Sequence, residues 1–140
     1  SCIKPPKPSA QTWELETSDY VNNVLVTQTA RVRVEPFTNS GSFSETSDSP
    51  GWWIYDTQGN ACFRLPVGGN IVHDSPGDRW SFVGMSGGGC GYSTIGSNSS
   101  GTANGNFPDA NYISNGVVTI TTTSPLGTVS GTLKWTGMKQ

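Results

Sequence analysis

The chain has 140 residues, of which 10% are aromatic and 13% charged, and its formal net charge is −2. That length accommodates one domain with one core, and so small a charge makes a poor electrostatic partner for nucleic acid or anionic lipid. Gly, Ser, Thr and Asn fill 62 positions while Leu, Ile, Val and Phe fill only 27. Such a balance approaches that of disordered chains, but five Trp, four Tyr and low charge predict a folded domain with a thin core.

Residues 1–11 read as an extended lead-in, because Pro5, Pro6 and Pro8 fix the backbone and remove ladder donors. Residues 12–140 form the domain. Thr12–Glu16 is its first expected strand. Val24–Val34 is the clearest, with Val24, Val26, Gln28, Ala30, Val32 and Val34 on one face and Arg31 and Arg33 on the other. Pro36 ends it. Further strands are expected at Trp52–Asp56, Ala61–Leu65, Asn70–His73, Trp80–Met85, Gly91–Ile95, Val117–Thr123 and Thr128–Trp135, each bounded by Gly, Pro, Asn or Asp. Gln58-Gly59-Asn60 and Ser124-Pro125-Leu126-Gly127 read as hairpin turns. Residues 38–51 and 96–111 carry no strand pattern and read as long loops. No segment has a helical period, so the fold class is all-β: a single antiparallel β-sandwich, Ig-like or jelly-roll-like, with a barrel as the alternative.

Three cysteines and one histidine fall short of a structural zinc site. They fit an exported protein, secreted or held at a cell surface, whose small core gains from a disulfide. Cys62 with Cys90 is one pairing; Cys2 with either of them is another, and the odd cysteine is available to another chain. No apolar stretch is long enough for a membrane helix, and any signal peptide has been removed.

Catalysis finds little support. His73, Asp74 and Ser75 are adjacent, so on a strand they point to alternating faces and do not form a triad. Asp56, Asp74, Asp78 and Asp109 offer a carboxylate pair for glycoside hydrolysis only if two of them meet, and each stands beside turn residues where Asp serves the backbone. Gly87-Gly88-Gly89 lacks the helix and Lys-Ser/Thr of a phosphate loop. No cofactor is expected. Calcium is the one metal with candidate oxygen ligands, at Asp56–Asn60 and Asn104–Asp109, and neither segment matches a twelve-residue calcium loop.

The sharper signal is aromatic residues beside amides and carboxylates. Trp52 and Ile54 alternate with Trp53 and Tyr55, so one pair must face outward. Flat indoles stack on the C–H faces of sugars while polar groups bind the hydroxyls. The candidate ligand site is therefore Trp52, Trp53, Tyr55 and Asp56, with Asn104, Asn106, Asp109 and Asn111 as polar partners. Trp80 and Tyr112 have similar neighbours, and Asn98-Ser99-Ser100 matches a glycosylation acceptor.

The run Pro125-Leu126-Gly127-Thr128-Val129-Ser130-Gly131-Thr132-Leu133 resembles the late strands of bacterial fimbrial subunits and their tip adhesins, as do the Thr, Ser, Gly and Asn bias and the cysteine near the N-terminus. The chain departs from the pilin pattern in ending Lys134-Trp135-Thr136-Gly137-Met138-Lys139-Gln140, without a penultimate Tyr. The resemblance implies an excised receptor-binding domain. The expected function is a non-catalytic exported domain that binds a glycan or glycoprotein receptor. The alternative is an assembly subunit of a fibre, pilus or capsid, with contact between chains through Cys2 or an edge strand. Neither nucleic-acid binding nor membrane insertion is expected.

Overall fold

Period-two alternation organises this chain almost throughout. A computed structural model describes residue 4 and residues 6–140, and among these it contains ten strands and no helix. They are β1 (Gln11–Val21), β2 (Val24–Val34), β3 (Ser40–Glu45), β4 (Trp52–Tyr55), β5 (Ala61–Leu65), β6 (Gly68–Val72), β7 (Arg79–Gly89), β8 (Tyr92–Thr102), β9 (Tyr112–Ser124) and β10 (Gly127–Lys139).

Eight of them close an antiparallel barrel in the order β1-β10-β9-β8-β7-β6-β3-β2, and β4 and β5 form a separate two-stranded sheet. Of the sandwich and barrel architectures, the all-β chain adopts the barrel. Closure follows from β1, which pairs with β2 over its whole length and with β10 from Trp13↔Lys139 to Thr17↔Trp135. One end of the barrel, the terminal end, carries Gln11, Lys139 and the β2–β3, β6–β7 and β8–β9 loops. The other, the hairpin end, carries the tips of β1–β2, β7–β8 and β9–β10. β3 and β6 are short, and toward the hairpin end the β4–β5 hairpin takes their place between β2 and β7. Gln28 on β2 bonds both backbone groups of Trp53, and Ser86 Oγ on β7 donates to the Arg64 carbonyl at 3.0 Å.

The interior is filled by aromatic rings. Trp13 meets Trp80 at 4.9 Å between centroids, Trp80 meets Phe43 at 4.8 Å, and Phe43 meets Phe82 at 5.7 Å. Trp52 and Trp135 continue the chain, each 5.9 Å from Phe82. Offset and tilted pairs at these separations add to burial by about 0.5–1.5 kcal/mol each. Buried indole N–H groups require acceptors: Trp52 donates to the Leu15 carbonyl at 3.0 Å, and Trp135 to Ser99 Oγ at 2.6 Å, which in turn donates to the Val117 carbonyl. Between Trp13, Ile71, Trp80 and Phe107 the remaining space is about 10 Å³, room for one water at most.

Parts of the two segments read as loops, residues 40–45 and 96–102, are strands, while residues 46–51 and 103–111 are loops as expected; packing explains both departures. In β3 only Phe43 is a buried hydrophobic residue, and the other five, all Ser, Gly or Glu, carry no visible alternation. In β8 the inward positions after Ile95 are Ser97, Ser99 and Gly101, and at the last two Trp135 fills the space opposite. A Cβ at position 101 would sit 2.8 Å from the indole, and Gly116 across the ladder is pressed against the same ring. β2 differs in the other direction. Its inward face is buried only from Ala30 to Val34, while Val24 is 63% exposed, because β3 flanks β2 only at Val32–Val34.

Candidate functional site

The Trp52–Tyr55 alternation works as the pattern requires. Trp52 is buried in the core with Ile54 half-buried on the same side, while Trp53 stands 37% exposed on the outer wall with Tyr55 half-buried beside it. Trp53 is held from several directions. Gln28 Nε2 donates to its carbonyl and its N–H donates to Gln28 Oε1, both at 2.9 Å, a side chain standing in for a missing ladder strand. The indole N–H donates to the Pro50 carbonyl at 3.3 Å.

Arg64, opposite Trp53 on β5, lies with its guanidinium carbon 6.0 Å from the indole centroid, within cation–π range. The guanidinium is itself fixed by Glu45 at 2.7 Å and the Ser49 carbonyl at 2.9 Å. Gly51, at φ +89°, makes this possible, since any Cβ there would collide with that guanidinium. The result is an outward aromatic surface with a fixed cation at its side.

Asp56 begins the turn into β5. Its Oδ1 accepts the N–H of Gln58 at 2.9 Å and of Asn60 at 2.8 Å, and its Oδ2 accepts Asn60 Nδ2 at 3.2 Å. The Asn60 N–H above all holds its carboxyl below the usual range. Cys62 and Cys90 form a disulfide that ties β5 to the β7–β8 tip across 28 residues, a closure worth ~3–4 kcal/mol in the loop-entropy treatment. Asp56 lies within 4.8 Å of both sulfurs, but oxidised sulfurs are not thiolate ligands, so the three groups do not make a metal site. An intramolecular disulfide fits an oxidising environment. Cys2 lies outside the described residues.

Asn104, Asn106, Asp109 and Asn111 sit on the β8–β9 loop at the terminal end, opposite the end toward which β4 and its turn extend. The fold thus does not bring the two halves of the expected site together. Two of these side chains are engaged within the loop and a third with the β6–β7 loop. Asn104 Oδ1 accepts the N–H of Asn111 and of Tyr112, Asn104 Nδ2 donates to Asn111 Oδ1, and Asn106 Nδ2 donates to Asp78. Asp109 is exposed. Trp80, whose neighbours suggested a surface role, belongs to the core; Tyr112 and Asn98 are exposed on β9 and β8.

Asp78 does more than serve a turn. It is only 2% exposed, and its carboxylate accepts from His73 Nδ1 at 2.5 Å, Asn106 Nδ2 at 2.6 Å and the Phe107 N–H at 2.7 Å. Its backbone donates to the Gly105 carbonyl and accepts from the Ala103 N–H. Phe37 stacks on Phe107 at 4.7 Å and tilts against His73 at 5.2 Å, sealing this end. A carboxylate behind an imidazole is the orienting half of a nucleophile–base arrangement. Among the described residues, no hydroxyl or thiol hydrogen-bonds that ring. Nothing in the spacing of His73, Asp78 and Asn106 announces this cluster, because the residues converge only when two loops meet.

Comparison with family models, characterised proteins and solved structures found no match to this chain.

Proposed function

We propose that this chain is a non-catalytic, exported binding domain that takes a glycan on its outer wall, as a lectin-like adhesin domain at a cell surface does. The observation that carries the reading is the immobilised, outward Trp53. Its backbone is pinned by Gln28, its N–H by Pro50, and Arg64 stands beside the ring. A stacking surface fixed before the ligand arrives avoids the ordering cost that weakens flexible sites. Arg64, together with the half-buried Tyr55, supplies polar groups for the ring of hydroxyls. The barrel interior is filled by its own side chains, which favours the exterior as the place of binding. The disulfide supports an extracellular setting.

The test is a broad glycan array probed with the oxidised domain and with Trp53→Ala, each also in the presence of a calcium chelator. The expected result is a defined set of hits that the chelator leaves intact and that falls by roughly tenfold or more in the variant. Retention of every hit by a folded Trp53→Ala protein overturns the assignment to this face.

A further inference from the structure

We infer that the free flank of β10 pairs with the same strand of a second copy, making a symmetric dimer through a continuous sheet. β10 keeps β9 on one side along nearly its whole length, but β1 leaves its other side after Trp135. Thr17 Oγ1 takes the Lys134 carbonyl at 2.8 Å, and among the described residues no backbone bond from another strand reaches that flank over residues 127–133. Seven consecutive residues therefore present an open ladder edge.

Isolated domains guard such edges with Lys, Pro or a bulge. Gly127-Thr128-Val129-Ser130-Gly131-Thr132-Leu133 has no charge and no proline, and the irregularity in the β9–β10 register lies beyond it, between Trp135 and Gly137. Two large apolar side chains lie on or next to it, with Val129 68% and Leu126 100% exposed.

Gly131 identifies the occupant. A glycine inside a strand weakens it and commonly marks the close approach of another backbone. Within this chain nothing approaches: a Cβ at position 131 meets no atom within 4 Å, and the residue does not have the positive φ that Gly127 has. Antiparallel pairing of two copies about Ser130 supplies the missing neighbour. Val129 then stands opposite Gly131 of the second copy, Leu133 opposite Gly127, and Thr128 opposite Thr132. Each large side chain meets a glycine and the threonines pair, which is the self-complementarity that a two-fold interface demands.

The test needs no ligand: light scattering and analytical ultracentrifugation over a concentration series on the oxidised full chain. A monomer–dimer equilibrium is expected. Gly131→Val fills open space within one chain, so its thermal stability should be kept or raised, while Val129 of the second copy is displaced and dimerisation weakens by roughly tenfold or more. In a Cys2→Ser background, Ser130→Cys should crosslink to a dimer under mild oxidation, since residues facing across the axis bring their Cβ atoms to about 4.5–5.5 Å. Thr128→Cys, facing Thr132, should not. A wild-type monomer throughout, a dimer indifferent to Gly131→Val, or crosslinking at 128 but not 130 overturns the proposal. Trp53→Ala should dimerise normally, so failure here and failure of the glycan reading are told apart.

Discussion

The two ends of the barrel are finished in opposite ways. At the terminal end, two loops are drawn onto one buried carboxylate, and Asp78 collects an imidazole from its own β6–β7 loop and an amide and a backbone N–H from the β8–β9 loop. At the hairpin end the strands run on past their neighbours, and the exposed Tyr20, Leu25, Leu126 and Val129 face solvent. There a disulfide ties β5 to the β7–β8 tip. A sealed end needs a polar hub because converging loops bring backbone groups that must be paired. An end made of hairpins satisfies its own ladders and leaves flanks available for partners.

That contrast can be broken in steps. The largest effect is expected from Trp135→Ala, which empties the junction between the two ends beneath Gly101 and Gly116; chemical denaturation should reveal a loss of about 3–5 kcal/mol. Removing the disulfide by a double Cys62→Ala, Cys90→Ala change should cost ~3–4 kcal/mol. Hydrogen exchange should place the loosening in β4–β5 and the β7–β8 tip, leaving the β8–β9 loop protected. Asp78→Ala should do the reverse. It removes the acceptor of three donors; the exposed Asn106 amide and the part-exposed His73 ring turn to water, so the cost should be about 1–3 kcal/mol, with protection of the terminal-end loops lost first.

A smaller, pH-dependent effect sharpens the picture of the wall near Trp53. The Thr46 hydroxyl, and after it Arg31, hold Asp48 below its usual range, as the Asn60 N–H holds Asp56. A carboxyl lowered in the folded state contributes stability that is present above its unfolded value, near pH 4, and disappears as pH falls through the folded one. Urea midpoints should therefore decline on acidification below about pH 4. In Asp48→Asn and Asp56→Asn proteins that decline should be shallower.

Local pattern determined much of this molecule. Val24–Val34 and Ala61–Leu65 are strands with the bounds their alternation and turn residues mark, because a period of two is a property of the backbone and needs no partner to be seen. The same period requires Trp52 and Trp53 to face opposite sides, and only the packed core decides that Trp52 is the inward one. It is silent where the inward residues are small, as with Ser99 and Gly101, whose inner space is taken by Trp135 on another strand. Other decisions were made only by closure. β1 meeting β10 put the Asn104–Asn111 loop at the opposite end from the turn that follows Trp53 and Tyr55, and the meeting of the β6–β7 and β8–β9 loops turned Asp78 into a hub. Composition and alternation are read along the chain. Which residues become neighbours across it depends on register and curvature, and those are set by how large side chains such as Trp13, Trp80 and Trp135 fill one shared interior.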